Sequence, residues 1–149
     1  MNGNEITRRT AREWAVQMLT SADLNPTDDI RRLIDGYWEQ LSSLTDEEGV
    51  CAGYSKRYRA FAEARVIGVI EHLQEIDEIL KPQMDNWDLY RLGTVERCVL
   101  RLGVWEMKFA GVPIPVVINE CVDLANWFSS PKSRTFVNGV LDALAKTLV

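Results

Sequence analysis

The sequence predicts an all-α protein, a bundle of six or seven helices, and three observations carry that expectation. Apolar residues recur at helical spacing along almost the whole chain. The one stretch that alternates like a strand, Val112, Ile114 and Val116 in "GVPIPVV", contains two prolines, which a sheet interior excludes. No repeat, low-complexity tract or flexible linker interrupts the pattern, so residues 1–149 read as a single domain.

The first helix carries Ala11, Trp14, Ala15, Met18, Leu19 and Ala22 on one side. Asn25 then reads as an N-cap with Pro26 in the first turn of a second helix, whose apolar side holds Ile30, Leu33, Ile34, Tyr37, Trp38 and Leu41. Ser42 to Ser55 has no clear period and reads as a loop. The third helix is long. Its stripe of Ala62, Val66, Val69, Leu73, Ile76 and Leu80, with Tyr58 and Phe61 beside it, runs to Pro82 and is long enough to divide the bundle into two packed halves. Asn86 to Gly93 is a connector or a short helix. Thr94 can cap a fourth helix that turns Val95, Cys98, Leu102, Trp105 and Phe109 inward. "GVPIPVV" reads as an extended loop before a helix from about Val116 to Phe128. "SSPK" is a turn, and the last helix, from about Ser133 to Leu148, buries Phe136, Val137, Val140, Leu141, Leu144 and Leu148.

Composition narrows the function classes. The 149 residues suffice for a real core, and 46% hydrophobic content is ordinary for a globular chain. No apolar stretch approaches the roughly 18 residues of a membrane span. The N-terminus lacks the apolar centre of a secretory signal, so the expected compartment is the cytoplasm. Cys51, Cys98 and Cys121 are widely spaced and His72 is the only histidine, so no zinc site is expected and the cysteines read as free thiols. His72 reads as a surface or boundary residue rather than a base. No GxSxG elbow, P-loop, HExxH or GxGxxG is present, and acid pairs such as Glu47-Glu48 and Asp28-Asp29 read as helix-start and loop residues. The expectation is a protein that is not an enzyme and holds no cofactor.

Against that background "TRRTAREWAVQML", residues 7–19, is odd. Arg8, Arg9 and Arg12 stand at the leading end of a helix, where the macrodipole disfavours cations, in a chain of net charge −5. Their spacing puts them on one side of the helix, away from Trp14 and Met18. Glu5 and Glu13 are placed to pair with Arg9, at roughly 0.3–0.5 kcal/mol each. Guanidinium forks beside free amide N–H groups also suit a phosphate, so a solvated basic patch and an anion or nucleic-acid site both fit. "VINECVDLA" and "FVNGVLD" place Asn119 and Asn138 among apolar residues, with Gly139 inside a helix. The structural reading is that Gly139 admits a close helix neighbour and the asparagines bond to backbone in the interior.

Together these stretches resemble the NusB transcription antitermination family. "RRTAREWAVQML" looks like the family's opening helix, "ARVIGVIEHLQEIDEIL" its long third helix and "VERCVLRLGVWEM" its next core helix, while "VPIPVVINECVDLA" and "KSRTFVNGVLDAL" resemble its closing segments. The resemblance implies two packed helical subdomains. It also implies binding to boxA, a short single-stranded RNA element of ribosomal RNA leaders, and to the ribosomal protein NusE. The pair would join the antitermination complex on RNA polymerase. Arg8, Arg9 and Arg12 match the family's arginine-rich RNA-binding start, and Lys132 to Phe136 match a second RNA-facing region, with Ser133 and Phe136 at corresponding positions. Phe136 there would either stack on a base or pack in the core. Glu96 matches an acidic position on the NusE-binding face, although a first-turn glutamate also suits a helix by itself. The chain departs from the family at Thr20, where tyrosine is frequent, and at Lys132, where an acidic residue can occur. Its arm before Arg8 holds Glu5 and no lysine. Some family members form homodimers that would hide the arginine face, making a protein-only interaction module the alternative. NusB-like domains also precede the catalytic domain of some ribosomal RNA cytosine methyltransferases. This chain stops at Val149 without such a domain and would not methylate alone.

Overall fold

A computed structural model describes residues 7–45, 56–84 and 88–148. Among these residues are seven α-helices: α1 (Arg8–Leu24), α2 (Ile30–Thr45), α3 (Lys56–Glu71), α4 (Leu73–Leu80), α5 (Thr94–Lys108), α6 (Ile114–Phe128) and α7 (Pro131–Leu148). Short 3-10 turns occupy Lys81–Met84 and Leu89–Arg91. No strand occurs among the described residues, and none of the described helices is long and apolar enough to cross a membrane. The chain divides into two compact units, with the boundary inside α3 between Ile67 and Gly68.

In the first unit α1 begins at a capping box. The Thr7 hydroxyl accepts from the Thr10 N–H, and the Thr10 hydroxyl accepts from the Thr7 N–H, both at 3.3 Å. The expected apolar side is buried from Ala11 to Leu19. α2 starts later than the sequence suggests. Asn25 closes α1 instead, its N–H donating to the Ser21 carbonyl at 2.9 Å, and the carboxylate of Asp29 caps α2 by accepting from the Arg32 N–H at 3.0 Å. α2 also runs to Thr45, into the stretch expected to be a loop. The rest of that stretch, with Cys51, lies outside the described residues. Trp14 and Trp38 meet edge to face at 5.3 Å, and the Trp38 indole N–H donates to Glu63 at 2.9 Å. Glu63 in turn holds Arg31 at 2.8 Å.

Within the second unit, the single long helix expected from the sequence is broken at His72. The His72 imidazole Nδ1 lies 2.9 Å from the Gly68 carbonyl, which also accepts the His72 backbone N–H, and the ring stacks on Phe109 at 4.2 Å. α4 gives way to the Lys81–Met84 turn at Pro82. In the expected connector, 85–87 lie outside the described residues and Asp88 caps the Leu89–Arg91 turn through the Tyr90 N–H at 2.9 Å. α5 is capped by Gly93, with Thr94 its first residue rather than its cap. It packs against α4, α6 and α7 and is buried on all sides from Arg97 to Val104. Three charged residues, Arg97, Arg101 and Glu106, are therefore buried with it. Arg101 makes a two-pronged ion pair with Asp77 of α4 at 2.8 and 2.9 Å. Arg97 donates to the carbonyls of Leu89 and Leu92 at 3.2 and 3.0 Å. Cys98 and Cys121 are buried free thiols.

The prolines of "GVPIPVV" start α6 rather than precede it. Pro113 is the N-cap and Pro115 sits in the first turn, where a missing N–H costs nothing. Gly111, with φ of +64°, makes the turn out of α5 that leads there. α7 likewise opens at Pro131, ahead of the expected Ser133. Asn119, Asn138 and Gly139 are exposed, contrary to the interior roles expected of them. The two asparagines line an open groove between α6 and α7, and a Cβ on Gly139 would meet nothing within 4 Å.

The glycine that does serve packing is Gly68, where an added Cβ would fall inside the Trp105 indole. Gly68→Ala is expected to lower stability in chemical denaturation by about 1–3 kcal/mol. Gly139→Ala should raise it by about 0.5–1 kcal/mol, because only the flexibility of the backbone is lost.

Candidate nucleic-acid interface

The first unit holds the arginine cluster. Among the described residues, the first turn of α1 carries Arg8 and Arg9 and no acidic residue. The structure separates the three arginines that the sequence put on one side. Arg8 is exposed, Arg9 is half-buried and engaged within the protein, and Arg12 is buried at 3% exposure. The Arg12 guanidinium lies 5.2 Å from the centre of the Phe61 ring, and Arg65 of α3 lies over the same ring at 3.3 Å while donating to the Phe61 carbonyl. Phe61 and Arg65 are the residues that sequence reasoning missed here. Nothing local to α1 points to a partner so far along the chain.

The second unit holds Glu96, Lys132, Ser133 and Phe136. Ser130 caps α7 by accepting from the Ser133 N–H at 3.2 Å, and Pro131 fills the first helical position. The string "SSPKS" carries that signature, although it reads as a turn, with the helix expected only from Ser133. Glu96, in the first turn of α5, reaches across to this turn. One carboxylate oxygen accepts from Ser129 at 2.9 Å and also from Ser133, and the two hydroxyl oxygens lie 2.8 Å apart. Gly93 leaves room for the carboxylate to fold back over the start of α5, since a Cβ there would collide with it. Ser133 is thus buried and committed to Glu96, while Lys132 and Arg134 on either side of it are exposed. Phe136 is half-buried and in contact within the protein. The arrangement brings Glu96 and Ser133 together in one hydrogen-bonded cluster whose further members, Ser129 and Ser130, were not singled out.

Partial burial pushes the Glu96 carboxyl up. Hydrogen bonds from Ser133, from its own backbone N–H and from Ser129, with the nearby Arg97 charge, outweigh that and hold it below the ordinary value of 4.5. A carboxyl depressed on folding contributes stability that is present above its unfolded value and is lost as the pH falls through its folded value. The stability difference between the wild type and Glu96→Gln should therefore be largest near neutral pH and shrink as the pH falls below 4.5, measured by thermal melts across that range.

The NusB family model matches residues 9–146. The transcription antitermination protein NusB of Nitratiruptor sp. is 38% identical over 141 residues, covering 94% of this chain and 92% of that protein. Its counterpart in Wolinella succinogenes is 39% identical over 142 residues, covering 95% and 96%. Among solved structures, T. maritima NusB superposes with a TM-score of 0.79 at 28% identity, covering 95% and 92% of the two chains. A crystal structure of the antitermination factors NusB and NusE in complex with dsRNA gives a TM-score of 0.76 at 32% identity, covering 94% and 96%. With all but the two ends matched and the relatives aligned over nearly their whole length, the chain belongs to the NusB family.

Proposed function

We propose that this chain is a transcription antitermination factor. It binds boxA-type single-stranded RNA of ribosomal RNA leaders together with NusE and joins the antitermination complex on RNA polymerase. The observation that supports this best is the likeness, over nearly the full length of both chains, to the solved NusB that is held with NusE and RNA. The exposed cations fit the role. Arg8 stands at the N-terminus of α1 and Lys132 in the first turn of α7, where a guanidinium or ammonium joins backbone N–H groups in facing a phosphate. Arg9 adds to the first position. Arg12, seated on Phe61, supports α1 and so aims the two arginines before it. Ser133 and Glu96 do the same for Lys132 by fixing the turn, and Glu96 remains the proposed contact for NusE. Phe136 would lend an aromatic edge beside Lys132. Such binding makes and breaks no covalent bond, so the chain acts without catalysis or cofactor, in the cytoplasm where RNA polymerase works.

With only Arg8, Arg9 and Lys132 assigned to phosphates, affinity for RNA alone should be modest and salt-sensitive. Fluorescence anisotropy of a labelled boxA RNA against a scrambled one, with and without NusE and at two salt concentrations, tests the reading. A preference for boxA that grows with NusE is expected. Equal and feeble binding to both RNAs under every condition would sink it. Arg8→Ala should weaken RNA binding, flatten the salt dependence by about 0.7 per lost phosphate contact, and leave the melting temperature unchanged. Arg12→Ala should instead lower the melting temperature, because it strips a buried cation from its ring.

A further inference from the structure

The start of α3 carries a cluster of cations apart from those assigned to RNA above. Its first turn, "KRYR", holds Lys56, Arg57 and Arg59 and no acidic residue, in a chain of net charge −5. Lys56 and Arg57 are exposed, and Tyr58 and Arg59 are half-buried. None of the three cations makes an ion pair with a described residue, and aromatic rings hold two of them instead. The Arg57 guanidinium lies 4.8 Å from the centre of the Tyr58 ring and donates to the Tyr58 hydroxyl at 3.2 Å. Arg59 lies over Trp38. The carboxylates of the adjoining helix stretches are committed elsewhere. Glu63 is taken by Arg31 and the Trp38 indole, Asp35 pairs with Arg31, and Glu39 lines the groove between α1 and α2.

These cations stand at the same end of the first unit as Arg8. Only residues 25–29 join α1 to α2, so α2 runs back along α1 and Trp38 meets Trp14. α3 in turn runs back along α2: Arg59 meets Trp38, whereas Glu63, one turn later, reaches Arg31 near the start of α2. α1 and α3 therefore start at the same end. Arg12 on the Phe61 ring joins them directly, with Arg8 one turn before Arg12 and Arg57 one turn before Phe61. We propose that Lys56 and Arg57 extend the RNA-binding face of the first unit, taking phosphates of the same single strand that Arg8 engages. Charge selects this occupant. Neighbouring cations with no carboxylate on them, continuous with Arg8, suit a run of phosphates, and each one seated on a phosphate releases a condensed counterion. The rings orient Arg57 and Arg59 without neutralising them. Such contacts set affinity and register rather than sequence preference. The inference rests on the antitermination reading for the strand it invokes and adds two phosphate contacts to those of Arg8, Arg9 and Lys132.

The test is fluorescence anisotropy on the full chain across a salt series, with labelled boxA RNA and a scrambled RNA of the same length. Lys56→Ala combined with Arg57→Ala is expected to weaken binding to both RNAs about tenfold. The plot of log affinity against log salt should become shallower by about 1.4, or about 0.7 for each lost phosphate contact. Arg57→Lys, which keeps the charge, should retain most of the affinity. The melting temperature of the double variant and its affinity for NusE should equal those of the wild type, because both side chains are exposed. Unchanged RNA affinity and salt slope in the double variant overturn the inference, which is the result expected if the acids Asp46, Glu47 and Glu48 neutralise the patch. A fall in NusE affinity with RNA binding intact makes the patch a protein contact and overturns it too. If the wild type binds both RNAs equally and the double variant is weaker on both, the boxA reading falls and this inference stands. If the wild type prefers boxA and the double variant binds it equally well, this inference alone is overturned.

Discussion

The second unit depends on the buried pair of Arg101 and Asp77. From Arg97 to Val104 α5 is enclosed on all sides, so a charge in that stretch must be met by a partner on a neighbouring element. Arg101 and Asp77 do this with two parallel hydrogen bonds, and the Tyr90 hydroxyl adds a third donor to the same carboxylate at 3.3 Å. Desolvation takes back most of the attraction of such a pair, but its geometry is demanding: removing one member strands the other at a cost of about 3–5 kcal/mol. The pair therefore fixes how α4 lies on α5. Tyr90 ties the Leu89–Arg91 turn to it, and Arg97 gathers the carbonyls on both sides of that turn. The start of α5 follows, then Glu96, then the serines that hold the first turn of α7. Lys132 owes its position to a sequence of contacts that begins in the core.

Charge is handled differently in the first unit, where guanidinium groups rest on aromatic rings. Arg12 and Arg65 share Phe61, and Arg59 lies 4.7 Å from the centre of the Trp38 ring. A ring offers a cation a favourable seat without neutralising it. These contacts join α1 and α2 to α3 through charge and ring as well as through apolar packing.

Much of the fold was legible because helical period survives substitution. The stripes through Trp14, Ile34, Val66, Cys98 and Leu141 all point to buried positions. The larger errors share a cause: each concerned a group whose partner is remote in sequence or whose environment only the fold defines. Arg12 looked solvent-facing since Phe61 is out of sight from α1. Arg101 and Asp77 gave no sign of each other. Gly139 and Asn138 looked interior on composition, yet they lie on the open side of α7. Local chemistry misled in smaller ways, at Asn25 and Thr94, where a plausible cap stood one turn or one residue from the real one. For the candidate site, sequence named the cations but not their exposure, and exposure is what separates Arg8 from Arg12.

The serine–glutamate cluster has a kinetic consequence. Helical hydrogen bonds join residues four apart and form quickly, whereas Glu96 meets Ser129 and Ser133 across 33 and 37 residues. Closing that span draws on loop entropy that only the packing of α5, α6 and α7 repays, so the cluster assembles after those helices have met. By the same reasoning it is among the first contacts to open. Amide protons at the start of α7 should then exchange with solvent through a local fluctuation that leaves the α5 core closed, and the segment would behave as a small folding unit of its own.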